Sequence, residues 1–536
     1  MNPHASTQCA GRLLMALAMI ASILLIAGCS SSGSAPAPNP VGFSIGSLTG
    51  TYVFSSQGVD ANGAPIALAG TLVTVGKGAI TGGTMDVVDI GVAAVSPVAQ
   101  GITGSYYVNS DGRGQASLSS TAYGTFVLDF VLTSTSHGLV TEFDGNGTGS
   151  GTIDLQTTPI TSLTQIAGPY AFSLAGSDAG GFPFASLGAF TLGSNGASTA
   201  GVQDFNDNAV PINQGSLSAG ATVGSGTGPG SITLTSNYGP LLFDYYPIDA
   251  THFKLIETDY HYAFLAGDLF TQTGAVIPNA PMVFTMAGGT ETSGPVADGG
   301  LMTSDGTGNF FSGLEDVNNA GSVPPQLQFS GALDAAASGP TGGRVFVNLA
   351  GSFFPATSWV VYPSSGGLLM LEADHGNVTI GAGYAQQSGV TLPASENFGF
   401  NLSAIDLNNG QGDFEEDDIA QFTTTSTGFT GIVDINDEGT TTPNQSFIGA
   451  YATTIDSAGR GQVTTIANNS AYVSFNFYAV SNNQFLLLET DRIQIGVGTF
   501  EQQSASGAGG DARSHVSIMH PVLRPALQLH GAARRR

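Results

Sequence analysis

A fourfold internal repeat limits what this chain can fold into more than any other feature. A Glu-x-Asp pair follows an apolar run at Glu142/Asp144, Glu257/Asp259, Glu372/Asp374 and Glu489/Asp491, at spacings of 115, 115 and 117 residues. An Asp followed by Asn or Asp recurs at 86–89, 204–207, 316–319 and 434–437, and a closing Gln at Gln156, Gln272, Gln386 and Gln502. Each unit opens on a similar word: GTYVF from Gly50, GPYAF from Gly168, APMVF from Ala280 and ENFGF from Glu396. These signatures set four units, at 47–157, 165–273, 279–388 and 394–503. Units of this size bury a core of their own, unlike short solenoid repeats, so the expected arrangement is beads on a string.

Within each unit, short runs rich in Val, Ile, Thr, Phe and Tyr alternate with Gly, Asn and Asp turns, which is a strand pattern. The fourth unit yields eight such runs with links of a few residues. Short links between consecutive strands favour an antiparallel meander. The expected fold class is therefore all-β: four tandem antiparallel eight-stranded units, meander β-barrels ahead of β-sandwiches. Closing the sheet removes edges that would otherwise pair with other chains.

The amino terminus sets the compartment. A single Arg12 precedes an apolar run from Leu13 to Ile26, which ends at Ile26-Ala27-Gly28-Cys29 and continues Ser30-Ser31-Ser32-Gly33. That run is too short to span a bilayer as a helix. Its end resembles the lipobox of bacterial lipoproteins. The resemblance implies a signal peptide over 1–28, cleavage before Cys29 and acylation of that Cys, with Ser30 resembling the residue that follows it in outer-membrane lipoproteins. Residues 29–46 then read as the lipidated Cys and a Ser/Pro/Gly tether. The only other Cys is Cys9, which would leave with the signal, so no disulfide is expected. The repeats, with their G-x-Y-x-F, G-R-G and E-x-D words, resemble tandem repeats of uncharacterised bacterial surface lipoproteins. That resemblance adds location and fold and implies no activity.

Charge narrows the partners. The chain holds 12 Lys+Arg against 39 Asp+Glu, a formal −27. Phosphate backbones need Lys and Arg, so nucleic acid is not an expected partner. Residues 504–536 reverse the balance with Arg513, Arg524, Arg534, Arg535 and Arg536, and are expected to be a disordered basic tail.

Cations are so scarce in the repeats that their positions are informative. Arg113 and Arg460 occupy one repeat position, Arg344 lies within a residue of it, and unit two carries Gly228-Pro229-Gly230 instead. The expectation is that Arg113 pairs with Glu142 or Asp144, and Arg460 with Glu489 or Asp491, because a buried carboxylate needs a partner, with a ligand contact at these Arg and Glu-x-Asp positions as the alternative. A glycosidase dyad at Glu-x-Asp is weighed and set aside: the pair recurs in every unit with no other group recurring beside it. Asp434, Asn436 and Glu438 place oxygens at alternating positions before Gly439, which is the basis of a calcium reading. Asp and Asn also cap turns through their own backbone, and that reading is preferred. The run Asp413–Asp418 reads as a solvated loop. Trp359, the sole Trp, weakens a sugar-stacking site, while Tyr245, Tyr246, Tyr260 and Tyr262 keep one open. His252 and His261 are too isolated to suggest zinc.

The functional expectation is a non-enzymatic, lipid-anchored cell-envelope protein of the outer membrane, structural or adhesive, with no cofactor. Its partners would be the membrane through Cys29 and envelope or extracellular polysaccharide. Alternatives are a polysaccharide or small-ligand binder using the barrel mouths and, last, a secreted hydrolase.

Overall fold

The computed structural model describes residues 40–91, 99–225, 228–259, 263–290, 294–339, 342–352, 358–407, 414–465 and 474–506. Cys29, the tail beyond 506, Asp413, Tyr260, His261 and Tyr262 lie outside them. The protein is all-β, built as the expected four antiparallel eight-stranded meanders. Barrel 1 runs from Thr49–Asp60 to Gly147–Leu155, and its eight strands pair in chain order before the first pairs with the last. Barrels 3 (Pro281–Thr290 to Val378–Ala385) and 4 (Asn397–Asp406 to Gln494–Gln502) close in the same way. In barrel 2 (Gly168–Asp178 to Ala263–Thr271) the fourth strand breaks into Val210–Ser216 and Ser218–Thr222. The wall is carried across the break by Leu217 N donating to Gly201 O and by the bridge Ala197↔Gly220.

Period-two alternation fills each barrel with side chains. Barrel 4 is packed with Phe398, Phe400, Phe422, Phe429, Phe447, Phe475, Phe477, Phe485 and Phe500. Barrel 3 buries Trp359 among Phe284 and Phe329, with ring centroids 5.3 and 5.7 Å away. A small apolar cavity in barrel 2, lined by Ile166, Tyr170, Phe190 and Tyr245 among others, holds little more than a water molecule.

Several strand boundaries differ from the sequence reading. The second strand of barrel 4 begins at Phe414, so Glu415 (3% exposed), Asp417 and Asp418 (both 0%) are buried strand residues rather than a solvated loop. The Asp/Asn signatures likewise end third strands (Ala79–Asp89, Ser198–Asp207, Phe310–Asn319, Gly428–Asp437) and do not sit in turns. Tyr245 and Tyr246 are buried, which removes them as a stacking surface.

The units are also not separate beads. Outward-facing side chains along the first strands are buried and small: Ala171, Ser173 and Ala175; Thr285 and Ala287; Asn401 and Ser403. Barrel 1 packs on barrel 2, 2 on 3, 3 on 4, and 4 back on 1. This head-to-tail contact closes after four copies into a ring. The segment Pro40–Ser506 should therefore scatter X-rays as one compact body with a radius of gyration of about 23 Å. A flexible string of four barrels would give a much larger value.

Candidate functional site: the seams between barrels

Alternation on each third strand turns hydrophobic residues inward and polar ones outward. In barrel 4, Val433 and Ile435 enter the core while Asp434 and Asn436 leave it. The outward Asp and Asn reach the next barrel around the ring, and they are the polar centre of each seam.

Between barrels 2 and 3, Asp204 accepts Arg344 Nε at 2.6 Å, Arg344 Nη2 at 2.7 Å and the Tyr362 hydroxyl at 2.5 Å. Between barrels 3 and 4, Asp316 accepts Arg460 Nε at 2.6 Å, Arg460 Nη2 at 2.9 Å and Tyr478 Oη at 2.7 Å. The two-pronged guanidinium grip on a carboxylate is the strong, direction-specific form of an ion pair. Two residues on, each Asn amide satisfies carbonyls of the neighbouring barrel. Asn206 donates to Glu372 O, Asp374 O and Asn377 O at 3.1, 3.2 and 2.7 Å. Asn318 donates to Glu489 O, Asp491 O and Gln494 O at 3.1, 2.9 and 2.9 Å. At the other end of each seam a closing Gln docks: Gln156 on Pro247 O, Gln272 on Gly342 O and Pro363 O, Gln386 on Ala458 O and Ala479 O.

The two seams flanking barrel 1 vary the plan. Asp86 accepts Tyr246 Oη at 2.5 Å, but Pro229 stands at the Arg position, Val88 replaces Asn, and an apolar cluster of Val53, Ala69, Val88, Ile248 and Ile256 fills the contact. Across the ring-closing seam, Asp434 meets Arg113 Nη1 at 3.4 Å, and Val131 stands where the other barrels have Tyr. Arg113 also binds Asp111 at 3.1 Å and Asn444 at 3.1 Å. Asn436 keeps its role, donating to Glu142 O and Gly147 O, both at 2.7 Å. Gln503, not Gln502, is the closing Gln of barrel 4, and it donates to Asp111 O and Leu132 O at 2.8 Å. Asp417 accepts Thr148 Oγ1 at 2.9 Å and Ser150 Oγ at 2.7 Å from barrel 1. Near the closure, buried His137 lies 2.6 Å from Asp154 and 3.3 Å from Glu501 of barrel 4. Burial opposes its charge, but the two carboxylates prevail and raise its pKa to about 10. In barrel 2, Asp268 lies 2.8 Å from Lys254 and 2.6 Å from His252, and against burial the Lys254 charge and the hydrogen bond to His252 hold its pKa near 2.

Each Glu-x-Asp pair therefore has another role than the one expected. No Arg reaches it in the described residues; Arg113, Arg344 and Arg460 each serve an Asp of the preceding barrel instead. The Asp caps a turn at the barrel mouth: Asp144 accepts Val127 N at 2.6 Å and Asn146 N at 2.7 Å, and Asp374 accepts Ser358 N at 2.7 Å and Gly376 N at 2.8 Å. Asp259 accepts Leu242 N, and Asp491 accepts Ile493 N and Gln494 N. The Glu is buried: Glu142 and Glu489 are 0%, Glu372 1% and Glu257 2% exposed. Burial, then the neighbouring Asp, raises the pKa of Glu142 and Glu489 well above the usual range, and that of Glu372 to about 8. Burial does the same to Glu257. Burial thus favours the protonated form of all four, and in Glu257, Glu372 and Glu489 the side chain of the neighbouring Asp is a hydrogen-bond partner.

The residues behind the calcium reading are engaged by protein groups. Asp434 holds Arg113 and the Asn444 N–H at 2.6 Å, and Asn436 spans the seam with its oxygen on Gly439 N. Glu438, half-buried at the turn between the third and fourth strands, donates its backbone N–H to Glu415 O on the second strand. Among the described residues, no three His, Cys, Asp or Glu side chains are grouped to hold a metal. The seam tyrosines were missed, although Tyr246-Pro247, Tyr362-Pro363 and Tyr478-Ala479 recur 116 residues apart. No family model matches the chain, and no curated protein matches it.

Three predictions follow from the geometry. Arg460→Ala leaves Asp316 without its counter-charge and should cost about 3 kcal/mol in denaturant unfolding. Asn318→Ala, which strips donors from three buried carbonyls, should cost about 2 kcal/mol. The third concerns pH. A carboxyl whose pKa rises on folding stabilises the fold fully below its unfolded value of about 4.3, and that contribution is lost as pH climbs through the folded value. Glu372 and Glu416 are both raised to about 8, burial leading. Melting temperature should thus fall from mildly acidic pH to pH 9. Glu489→Gln, which cannot ionise, should flatten that fall.

Proposed function

We propose that the protein is a lipid-anchored envelope protein of the outer membrane, and that its four barrels act together as a rigid, non-catalytic structural or adhesive body. The observation that carries this reading is where the repeated polar residues go. Asp204, Asp316 and Asp434, the three seam arginines, Asn206, Asn318 and Asn436 all bind the neighbouring barrel. The Glu-x-Asp carboxyls, the best candidates for a hydrolytic dyad, hold mouth turns whose carbonyls those Asn residues bind. The barrel interiors are occupied by aromatic side chains, which argues against ligand binding through the barrel mouths. Contact with envelope or extracellular polysaccharide would then fall to the outer surface of the ring.

Four fused barrels presenting one fixed surface favour repeated weak contacts, because the entropy of arranging the units is lost on folding and not on binding. Lipid on Cys29 would supply the membrane attachment, and more than one acyl chain makes such attachment stable.

The test is expression in a bacterial host followed by membrane flotation and glycan turnover assays. The native chain should float with outer membranes and incorporate a palmitate analogue, Cys29→Ser should do neither, and envelope polysaccharides should survive incubation intact. Polysaccharide cleavage abolished by Glu489→Gln or Glu372→Gln would replace the scaffold with a hydrolase.

A further inference from the structure

The two ends of the ring differ. One end carries the Glu-x-Asp mouths. The other carries the starts of the first strands, the closing Gln residues and both ends of the described chain. Six large hydrophobic side chains among the described residues are exposed, and five lie at or next to this second end. Ile45, 41% exposed, precedes the first strand of barrel 1, and Val75, 51%, ends the second. Tyr107, 49%, is the penultimate residue of Gln100–Val108. Val276, 72%, lies in the link after Ala263–Thr271, and Phe311, 43%, is the second residue of Phe310–Asn319. The sixth, Val210 at 55%, starts a strand at the mouth end of barrel 2.

Ile45 and Val75 share one tip. Tyr106 Oη donates to Ile45 O at 3.1 Å, and a Cβ on Gly78 would lie 2.8 Å from Ile45 Cδ1. The hairpin Val75-Gly76-Lys77-Gly78 adds an exposed Lys77 between glycines with positive φ. Apolar residues with a lysine at their edge suit the boundary of a bilayer, where the aliphatic groups enter and the ammonium stays among headgroups. The tether is fixed at the same place. Val41 N and Gly42 N donate to Ser110 O at 2.7 and 3.0 Å, and Phe43 is buried beneath barrel 1. Eleven residue steps join Cys29 to Pro40, so Pro40, five residues before Ile45, lies within about 40 Å of the anchoring residue.

We infer that this end of the ring is a membrane-docking face: the Ile45/Val75/Lys77 tip of barrel 1, beside the tether, seats in the headgroup layer of the bilayer that holds Cys29, leaving the carboxyl-lined mouths turned away. The inference rests on the lipid-anchor reading. Docking on the bilayer makes the orientation of the ring a property of the fold and not of the tether alone.

The full-length lipidated chain carrying Val75→Cys or Val210→Cys would be labelled with bimane and reconstituted in phosphatidylcholine vesicles containing a nitroxide lipid. Bimane at position 75 should be quenched at least about threefold more than at 210, and adding Ile45→Asp should remove the difference. Equal quenching at both positions, in a chain that floats, overturns the docking face and leaves the anchor intact. A native chain that fails to float overturns both. Concentration-dependent dimerisation of Cys29→Ser, abolished by Val75→Asp, would mean that a second copy covers the tip and would likewise overturn docking.

Discussion

A carboxylate sealed between two protein surfaces must find a counter-charge or hydrogen-bond donors, and the rest of this structure depends on how four such carboxylates do so. Asp86, Asp204, Asp316 and Asp434 point out of one barrel toward the next, where an Arg meets the last three and the Tyr246 hydroxyl meets Asp86. A single barrel would expose an Asp on one flank and leave the tyrosine or arginine meant for another copy's Asp on the other flank. That asymmetry makes the contact head-to-tail, and rotation by one step per copy brings the fourth barrel back to the first. Ring closure is the arrangement in which each of the four seam Asp residues meets a side chain of the next barrel.

Selection of the same contact need not mean the same residues. The seams between barrels 2 and 3 and between barrels 3 and 4 keep the full Asp–Arg–Tyr and Asn set. Barrel 1 has lost a tyrosine at Val131 and faces Pro229 instead of an arginine, and its own third strand has Val88 in place of Asn. Apolar packing on one side compensates, and on the other a buried charge array linking Glu501, His137 and Asp154. The non-covalent closure, the one seam with no linker across it, thus has the richest set of polar contacts. Buried polar networks of this kind fix which surfaces meet more than they add net stability.

Much of the fold was legible in the sequence, because strand alternation and repeat period are local signals. The eight runs of barrel 4 follow the Phe-, Val- and Ile-rich words, and the four Glu-x-Asp pairs mark equivalent positions. What alternation does not say is what covers the outer face of a strand. Arg460 and Asp316 are 144 residues apart, so no local spacing joins them, and Glu489 on a nearby strand looked the better partner. The acidic run before Ile419 looked solvated because four consecutive acids rarely enter a wall; here Glu415 and Asp417 face barrel 1 while Glu416 and Asp418 face the interior. Tyr245 and Tyr246 read as surface aromatics for the same reason: one fills barrel 2 and the other fills a seam.

The central claim is that the fourth barrel returns to the first. The hairpins at Ala61 of barrel 1 and Gly439 of barrel 4 meet across the closing seam, where a Cβ on Gly439 would stand 3.5 Å from that of Ala61, within disulfide range. In a Cys29→Ser background, Ala61→Cys with Gly439→Cys should form an intramolecular disulfide under mild oxidation, seen as faster migration on a non-reducing denaturing gel that dithiothreitol reverses. Free thiols after oxidation, or disulfides only between molecules, would contradict the closed ring.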